Sequence, residues 1–391
     1  MRNTKALLLL ACIAVALALA ACGQRDIERS LPKPDPPPRP DQPSHRLVAA
    51  GNEHNLVVTD DGTLKAWGNN MYGQLGDGTT TSSPVAVDVT GITDVISVHA
   101  YASASVALKD DGTVWEWGYH AMGPAKHIPT QVPGLSGIVQ VDTSGAHSLA
   151  LDDDGGVWAW GSNGAGQLGD GTREYREAPV RVPVLTDVVQ VLASGNGISL
   201  ALKADGTVLM WGRHRGFGAG QDPQVPTPVP GVSGVVAMAA GGYTVSNVDV
   251  FYVVALTEDG EVWYWNHGSY ERQDDATYVF TAALLPSFGG VTDITMGLSG
   301  FIVALLDDGT VWTWGSGYSG NGDAYSSLPN PTQVASLQDI VSVHAGTSHA
   351  LVVDSTGNMW AWGQNNYGQL GDGTTEPRFV PVPVTALEGA P

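Results

Sequence analysis

Hydrophobic positions along the chain come in short runs broken by Asp-Gly. Leu56-Val57-Val58 and Ala304-Leu305-Leu306 each lead into such a dipeptide, and a stretch like Thr310-Val311-Trp312-Thr313-Trp314 follows it. Asp-Gly between two apolar runs predicts a tight turn joining paired strands. On the return strand a period of two puts both tryptophans on one face and Val and Thr on the other. Both faces are then apolar, so each hairpin predicts a sheet sandwiched between neighbouring sheets.

This phrase occurs seven times, ending at Trp67, Trp117, Trp160, Trp211, Trp265, Trp314 and Trp362. Successive copies are 50, 43, 51, 54, 49 and 48 residues apart, and all 12 tryptophans belong to the phrase. A period of this size marks a repeat architecture. One unit cannot bury two apolar faces, but seven arranged radially can. The expected fold is therefore all-β, a seven-bladed propeller of four-stranded antiparallel blades.

The fullest repeat opens with Asp339-Ile340-Val341-Ser342-Val343-His344-Ala345-Gly346, reaches His349, and runs through the hairpin to Trp362-Gly363. After Trp-Gly comes a loop holding Gly-Gln-Leu-Gly-Asp-Gly-Thr at 73–79, 166–172 and 368–374, and a Pro-Val strand such as Pro84-Val85 closes the unit. With these motifs the chain resembles the regulator-of-chromosome-condensation repeat family, from Leu47 to about Leu387. The resemblance implies a seven-bladed propeller. The founding member exchanges nucleotide on a nuclear GTPase, a role that export would separate from this chain. A secreted bacterial relative inhibits β-lactamases, which implies that such a face can grip an enzyme.

The last repeat ends at Leu387 to Pro391 without a further Val-x-Val strand, and the domain begins with Arg46-Leu47-Val48-Ala49-Ala50-Gly51. We expect the N-terminal strand to complete the final blade and close the ring, since that removes an open sheet edge. Alternating strand direction puts the Ala-Gly-x-x-His loops and the loops after Trp-Gly on one face, and the Asp-Gly turns on the other.

Ahead of the repeats, Met1 to Ala21 has Arg2 and Lys5, an apolar stretch from Ala6 to Ala18, and Leu19-Ala20-Ala21-Cys22. It reads as a signal peptide. Leu-Ala-Ala-Cys resembles the lipobox of bacterial lipoproteins, which makes Cys22 the lipidated first residue of the mature chain, with Gly23 after it favouring the outer membrane. Residues 22–45 are polar and rich in proline, an extended tether for the propeller at 46–391.

The formal net charge is −21; without residues 1–21, 16 basic side chains stand against 39 acidic. That balance argues against nucleic acid and against an anionic membrane surface, leaving the lipid as the membrane contact. Of the two cysteines, Cys12 leaves with the signal, so no disulfide is expected. No Gly-x-Ser-x-Gly, His-Glu-x-x-His or Cys-x-x-Cys occurs. No cofactor is predicted, and the Gly-Asp-Gly-Thr loops read as turns rather than calcium sites, lacking further carboxylates at fixed spacing. The histidines His54, His147 and His349 read as buried or turn-fixing, because the same slot holds Ala104, Ile198, Tyr252 and Phe301 elsewhere.

The candidate site is where the repeat is broken. Copies 4, 5 and 6 lack the Gly-Gln-Leu string, Asn266 replaces Gly after Trp265, and about eight residues are inserted between Gly241 and Tyr252. Parity gathers Arg213, His214, Arg215, Phe217, Tyr243, His267, Tyr270 and Arg272 into one sector of the loop face. Arg and aromatic side chains dominate interface hot spots. The expectation is a monomeric, lipid-anchored envelope module that binds a protein partner. A carbohydrate-binding propeller and a propeller enzyme such as a lyase remain the alternatives.

Overall fold

In the computed structural model, the structure describes residues 47–120, 123–195, 197–213, 222–245, 248–266, 270–272, 278–280, 282–284, 290–297, 300–323 and 326–387. The predicted leader and tether lie outside them, and none of the described residues forms a helix long and apolar enough to cross a membrane.

Strands follow the chain blade by blade. Blade 1 is β1 (Val48–Ala50), β2 (His54–Val58), β3 (Leu64–Gly68) and β4 (Ser83–Asp88). Blade 2 is β5 (Val95–Tyr101), β6 (Ala104–Lys109), β7 (Val114–Gly118) and β8 (Lys126–Gln131). Blade 3 is β9 (Ile138–Thr143), β10 (His147–Asp152), β11 (Val157–Gly161) and β12 (Arg176–Arg181). Blade 4 is β13 (Val188–Ser194), β14 (Ile198–Lys203), β15 (Val208–Gly212) and β16 (Thr227–Pro228). Blade 5 is β17 (Val235–Val245), β18 (Val248–Thr257), β19 (Val262–Asn266) and β22 (Ala283–Leu284), with β20 (Tyr270–Arg272) and β21 (Tyr278–Phe280) as an added pair. Blade 6 is β23 (Val291–Met296), β24 (Ile302–Leu306), β25 (Val311–Gly317) and β26 (Ser326–Gln333). Blade 7 is β27 (Ile340–Ala345), β28 (His349–Asp354), β29 (Met359–Gly363) and β30 (Arg378–Pro383).

The sheets confirm a seven-bladed propeller of four-stranded antiparallel blades. They overturn the expected mode of closure. The N-terminal strand β1 pairs with β2 of its own blade, Val48 opposite Val57 and Ala50 opposite Asn55, while blade 7 is complete with β27 to β30. The reason is local. Only Gly51 to Glu53 separate β1 from β2, and Gly51 N–H already bonds the His54 carbonyl at 2.8 Å. A short turn pairs its flanking strands at little loop-closure cost.

One hydrophobic cluster fills each of the seven seams between blades. At the seam of blades 1 and 2, Leu56, Leu64, Leu75, Val95, Val98 and Trp117 pack together. Where the ring closes, Val48, Val57 and Trp67 pack against Leu351, Met359, Leu370 and Val384. Each final Trp belongs to the later blade of its seam, and Trp67, Trp117, Trp211, Trp265 and Trp362 are fully buried. Burying about 200 Å² at roughly 25 cal/mol per Å² is worth on the order of 5 kcal/mol per ring, before entropy. A net hydrogen bond is worth about 1 kcal/mol, so burial holds the rings in place and hydrogen bonds set their orientation.

The Gly after each final Trp has a steric cause. Gly118 has φ of 83°, and a Cβ there would stand 2.2 Å from the Ser103 carbonyl oxygen. That carbonyl accepts Tyr119 N–H at 2.8 Å, so the inner loop is pressed onto the strand end. In blade 5 the insertion continues the β17–β18 ladder from Gly241 opposite Tyr252 to Val245 opposite Val248. No short loop then closes over the strand end, and Asn266 takes the position without left-handed backbone.

Candidate binding face

The turn face is built from short-range bonds. In the first Asp-Gly turn Gly62 alone takes positive φ, at 76°, and Asp61 instead accepts the Thr63 N–H at 3.1 Å. Hydrogen bonds from Thr59 and then Thr63 lower the Asp61 carboxyl to about 2. Asp111, Asp205 and Asp308 bond the Thr two residues on in the same way. The acidity of this face is turn chemistry repeated around the ring.

The opposite face carries the loops. Asn70 organises the first one: its amide nitrogen donates to Asp77 and to the Thr79 and Thr81 carbonyls, while its oxygen accepts Leu75 N–H at 2.9 Å. Asn163 and Asn365 do the same in blades 3 and 7. In those two loops the Asp also holds an Arg, Asp170 to Arg176 and Asp372 to Arg378. The Asp of each string is therefore occupied by turn-building donors.

Each string also grips the following blade. The Gln74 carbonyl accepts Trp117 Nε1 at 2.9 Å and Ser105 Oγ at 2.8 Å, both in blade 2. Ser105 Oγ in turn lies 2.9 Å from His54 Nε2 of blade 1. Because the hydroxyl donates to the carbonyl, His54 is the donor to the hydroxyl. Blades 3 and 4 repeat the arrangement with His147, Ser199, Gln167 and Trp211. Blades 7 and 1 repeat it with His349, Asn55, Gln369 and Trp67. Burial lowers His147 and His349 to about 3, and burial with repulsion from His349 does the same to His54. The three slot histidines are thus neutral hydrogen-bond donors in the seams, as the buried reading expects.

Blade 2 lacks the string and compensates. Trp160 Nε1 donates to Glu116 Oε2 at 3.1 Å, and Lys126 binds the other oxygen at 2.5 Å. Burial alone would raise the Glu116 carboxyl, but His120, Lys126 and the Trp160 bond outweigh it and hold it below its usual range.

Of the divergent sector, Arg213 is exposed, with its N–H on the Gly197 carbonyl. Tyr243 lies in β17 and Tyr270 and Arg272 in β20. His214, Arg215, Phe217 and His267 lie outside the described residues. The far end of the β17–β18 ladder, at Val245 opposite Val248, and the β20–β21 pair both fall on the loop-face side of blade 5, as parity requires.

Sequence reasoning passed over a second feature of this face. Tyr72 and Tyr119, in the loops of blades 1 and 2, are each 42% exposed, with ring centroids 5.3 Å apart and planes 38° apart. Met71 beside them is 58% exposed. The signal was present: Tyr72 and Tyr119 both stand within a few residues after Trp-Gly, one in a copy that keeps the string and one in a copy that lacks it.

Blades that interlock through their loops, with the first and last blades packed together, define a closed repeat propeller. Sequence models of the Regulator of chromosome condensation (RCC1) repeat match residues 61–108, 154–202, 308–353 and 356–391, and also 46–74, 138–167, 291–321 and 340–369. Together they cover more than half of the chain, which belongs to the RCC1 repeat family. The Ultraviolet-B receptor UVR8 of Arabidopsis thaliana is 29% identical over 355 residues, covering 86% of this chain and 69% of the receptor. The E3 ubiquitin-protein ligase HERC2 of Homo sapiens is 30% identical over 365 residues, 88% of this chain but 6% of the ligase. Among solved structures, the CRINKLY WD40 ectodomain of the Arabidopsis thaliana receptor kinase ACR4 aligns with a TM-score of 0.51 at 16% identity, over 81% of this chain and 94% of that one. That likeness concerns the fold alone.

Proposed function

We propose that this protein is a lipid-anchored module of a bacterial cell envelope whose loop face binds a protein partner. One observation carries the reading: blade 5 adds two elements to the same face, the β17–β18 extension and the β20–β21 pair. Elaboration of one face over a rigid scaffold is how binding loops are generally displayed. Arg213, His214, Arg215, Phe217, Tyr243, His267, Tyr270 and Arg272 are the proposed contact residues.

The test is crosslinking of the intact protein in its own cells, followed by binding with the purified partner. Arg213→Ala combined with Tyr270→Ala should weaken capture by about 2 kcal/mol without lowering stability. The matched control replaces Asn366 and Glu376, exposed in the intact loop of blade 7, by Ala. Equal loss in both variants would sink the assignment to blades 4 and 5. Cys22→Ser should release the protein from the membrane fraction or leave a precursor; a processed, membrane-bound variant would refute the anchor.

A further inference from the structure

We infer that the Tyr72–Tyr119 pair, with Met71, is a docking site for an arginine- or lysine-rich segment of the partner protein. The inference deepens the proposed protein-binding function and rests on it, but it lies in blades 1 to 3 rather than blades 4 and 5.

The platform is pre-built. Met71 N–H is held by Asn69 Oδ1 and Tyr72 N–H by Gln74 Oε1, each at 2.9 Å, and Gly73 N–H bonds the Asn70 carbonyl at 2.9 Å. Behind that loop, Gly78 N–H bonds the His127 carbonyl of β8 at 3.0 Å, so the blade 1 loop is fixed to blade 2. Tyr119 starts from a strand end locked by Ser103. Rings presented on a rigid loop bind with little ordering cost, and tyrosine offers a large face with few rotatable bonds. Both rings keep a large part of their surface open to solvent.

Charge selects the occupant. Lys126, the cation at the base of the blade 2 loop, is committed to Glu116 at 2.5 Å. Glu53 stands behind the blade 1 loop, bonded to Asn69 at 2.8 Å. In the blade 3 loop, burial and then the charge of Glu177 raise the phenol of the exposed Tyr175. Exposed π faces with carboxylates at the border attract cations and repel anions, and a guanidinium or ammonium group over a Tyr ring satisfies both features. The turn face is also acidic, but its Asp-Gly carboxylates are engaged with their own Thr residues and lack a comparable exposed ring pair among the described residues. It supplies attraction without an anchor.

The test uses the full propeller and fluorescence anisotropy with a labelled peptide of alternating Arg and Gly. The same peptide with citrulline for Arg, and a chitooligosaccharide, serve as competitors. Tyr72→Ser with Tyr119→Ser should weaken Arg-peptide binding by about tenfold or more at unchanged melting temperature. Asp110→Asn with Asp111→Asn on the turn face should change it less than about twofold. The citrulline peptide should not compete. Unchanged binding by the Tyr variant, or equal loss in the turn-face variant, overturns the proposal, the latter by showing attraction through charge alone. Displacement by the oligosaccharide but not by unlabelled Arg peptide overturns it in favour of a glycan site. A partner captured through Arg213 and Tyr270, with no affinity for the peptide, would sink this inference while leaving the proposed function standing.

Discussion

His349 of the last blade donates from Nε2 to Asn55 Oδ1 of the first at 2.9 Å, across 294 residues of chain. The same Asn55 donates to the Gln369 carbonyl at 2.6 Å, and Trp67 joins at that carbonyl. These bonds and the cluster around Leu351 and Leu370 close a ring that no peptide bond closes.

Asn55→Ala should therefore destabilise the domain by about 2–3 kcal/mol, because it strands the buried His349 imidazole and leaves the Gln369 carbonyl with Trp67 as its remaining side-chain donor. Asn55→Ser, which supplies the hydroxyl found in the other two latches, should recover part of that loss. Urea unfolding measures both; a cost for Asn55→Ala below that of an exposed substitution would show that packing alone closes the ring.

Acidification should weaken the fold in two stages. His54, His147 and His349 have folded values of about 3 against 6.5 unfolded, so the unfolded chain takes up their protons first. Stability is full above 6.5 and falls as pH drops from there towards 3. Asp61 and Asp354, at about 2 against 3.8, add a further loss as pH falls from 3.8 towards 2. Replacing His147 by Gln should make the upper stage shallower, since His54 and His349 remain, and leave the lower one, as read by unfolding free energy against pH.

How much of this was legible in the sequence depended on what repeats. The seven hairpin phrases, six ending in Trp-Gly and one in Trp265-Asn266, gave the blade count, and parity gave the two faces. The phase of the repeat was ambiguous, because Val48 to Ala50 can serve either end of the ring on pattern alone; the Gly51 to Glu53 turn decided it. The latch was half visible. His54, His147 and His349 stand in the copies that carry the Gln string, with Ser105, Ser199 and Asn55 in the copies that follow. Seeing why required knowing that a loop lies over the next blade. Tyr72 reads as background in a loop that keeps the repeat, yet its ring meets Tyr119 from the neighbouring blade.

Glu116 separates charge from hydrogen bonding in the second seam. Glu116→Gln keeps an acceptor for Trp160 and leaves Lys126 part-exposed, so it should cost less than about 1 kcal/mol. Glu116→Ala removes the acceptor beneath a buried indole and should cost about 2 kcal/mol or more. Similar losses in the two variants would mean that the ion pair, not the indole bond, matters there.

Gly118→Ala tests the strand-end geometry. A methyl group 2.2 Å from the Ser103 carbonyl, on a backbone with φ of 83°, should cost about 2–3 kcal/mol by urea unfolding. Asn266→Gly in blade 5, where no such contact forms, should change stability by less than about 1 kcal/mol.

The latches point one way around the ring, from the loop of each gripping blade to the blade after it. On a ribosome that order is also the order of synthesis. Blade 2 emerges to find the Gln74 carbonyl already in place, and blade 4 finds Gln167. Only the grip of blade 7 on blade 1 runs backward in time, because Asn55 and Trp67 leave the ribosome long before Gln369 exists. Until then the first blade carries a buried-type indole and amide with nothing over them, and a nascent chain arrested before residue 369 would be an open arc with its oldest edge exposed to a chaperone.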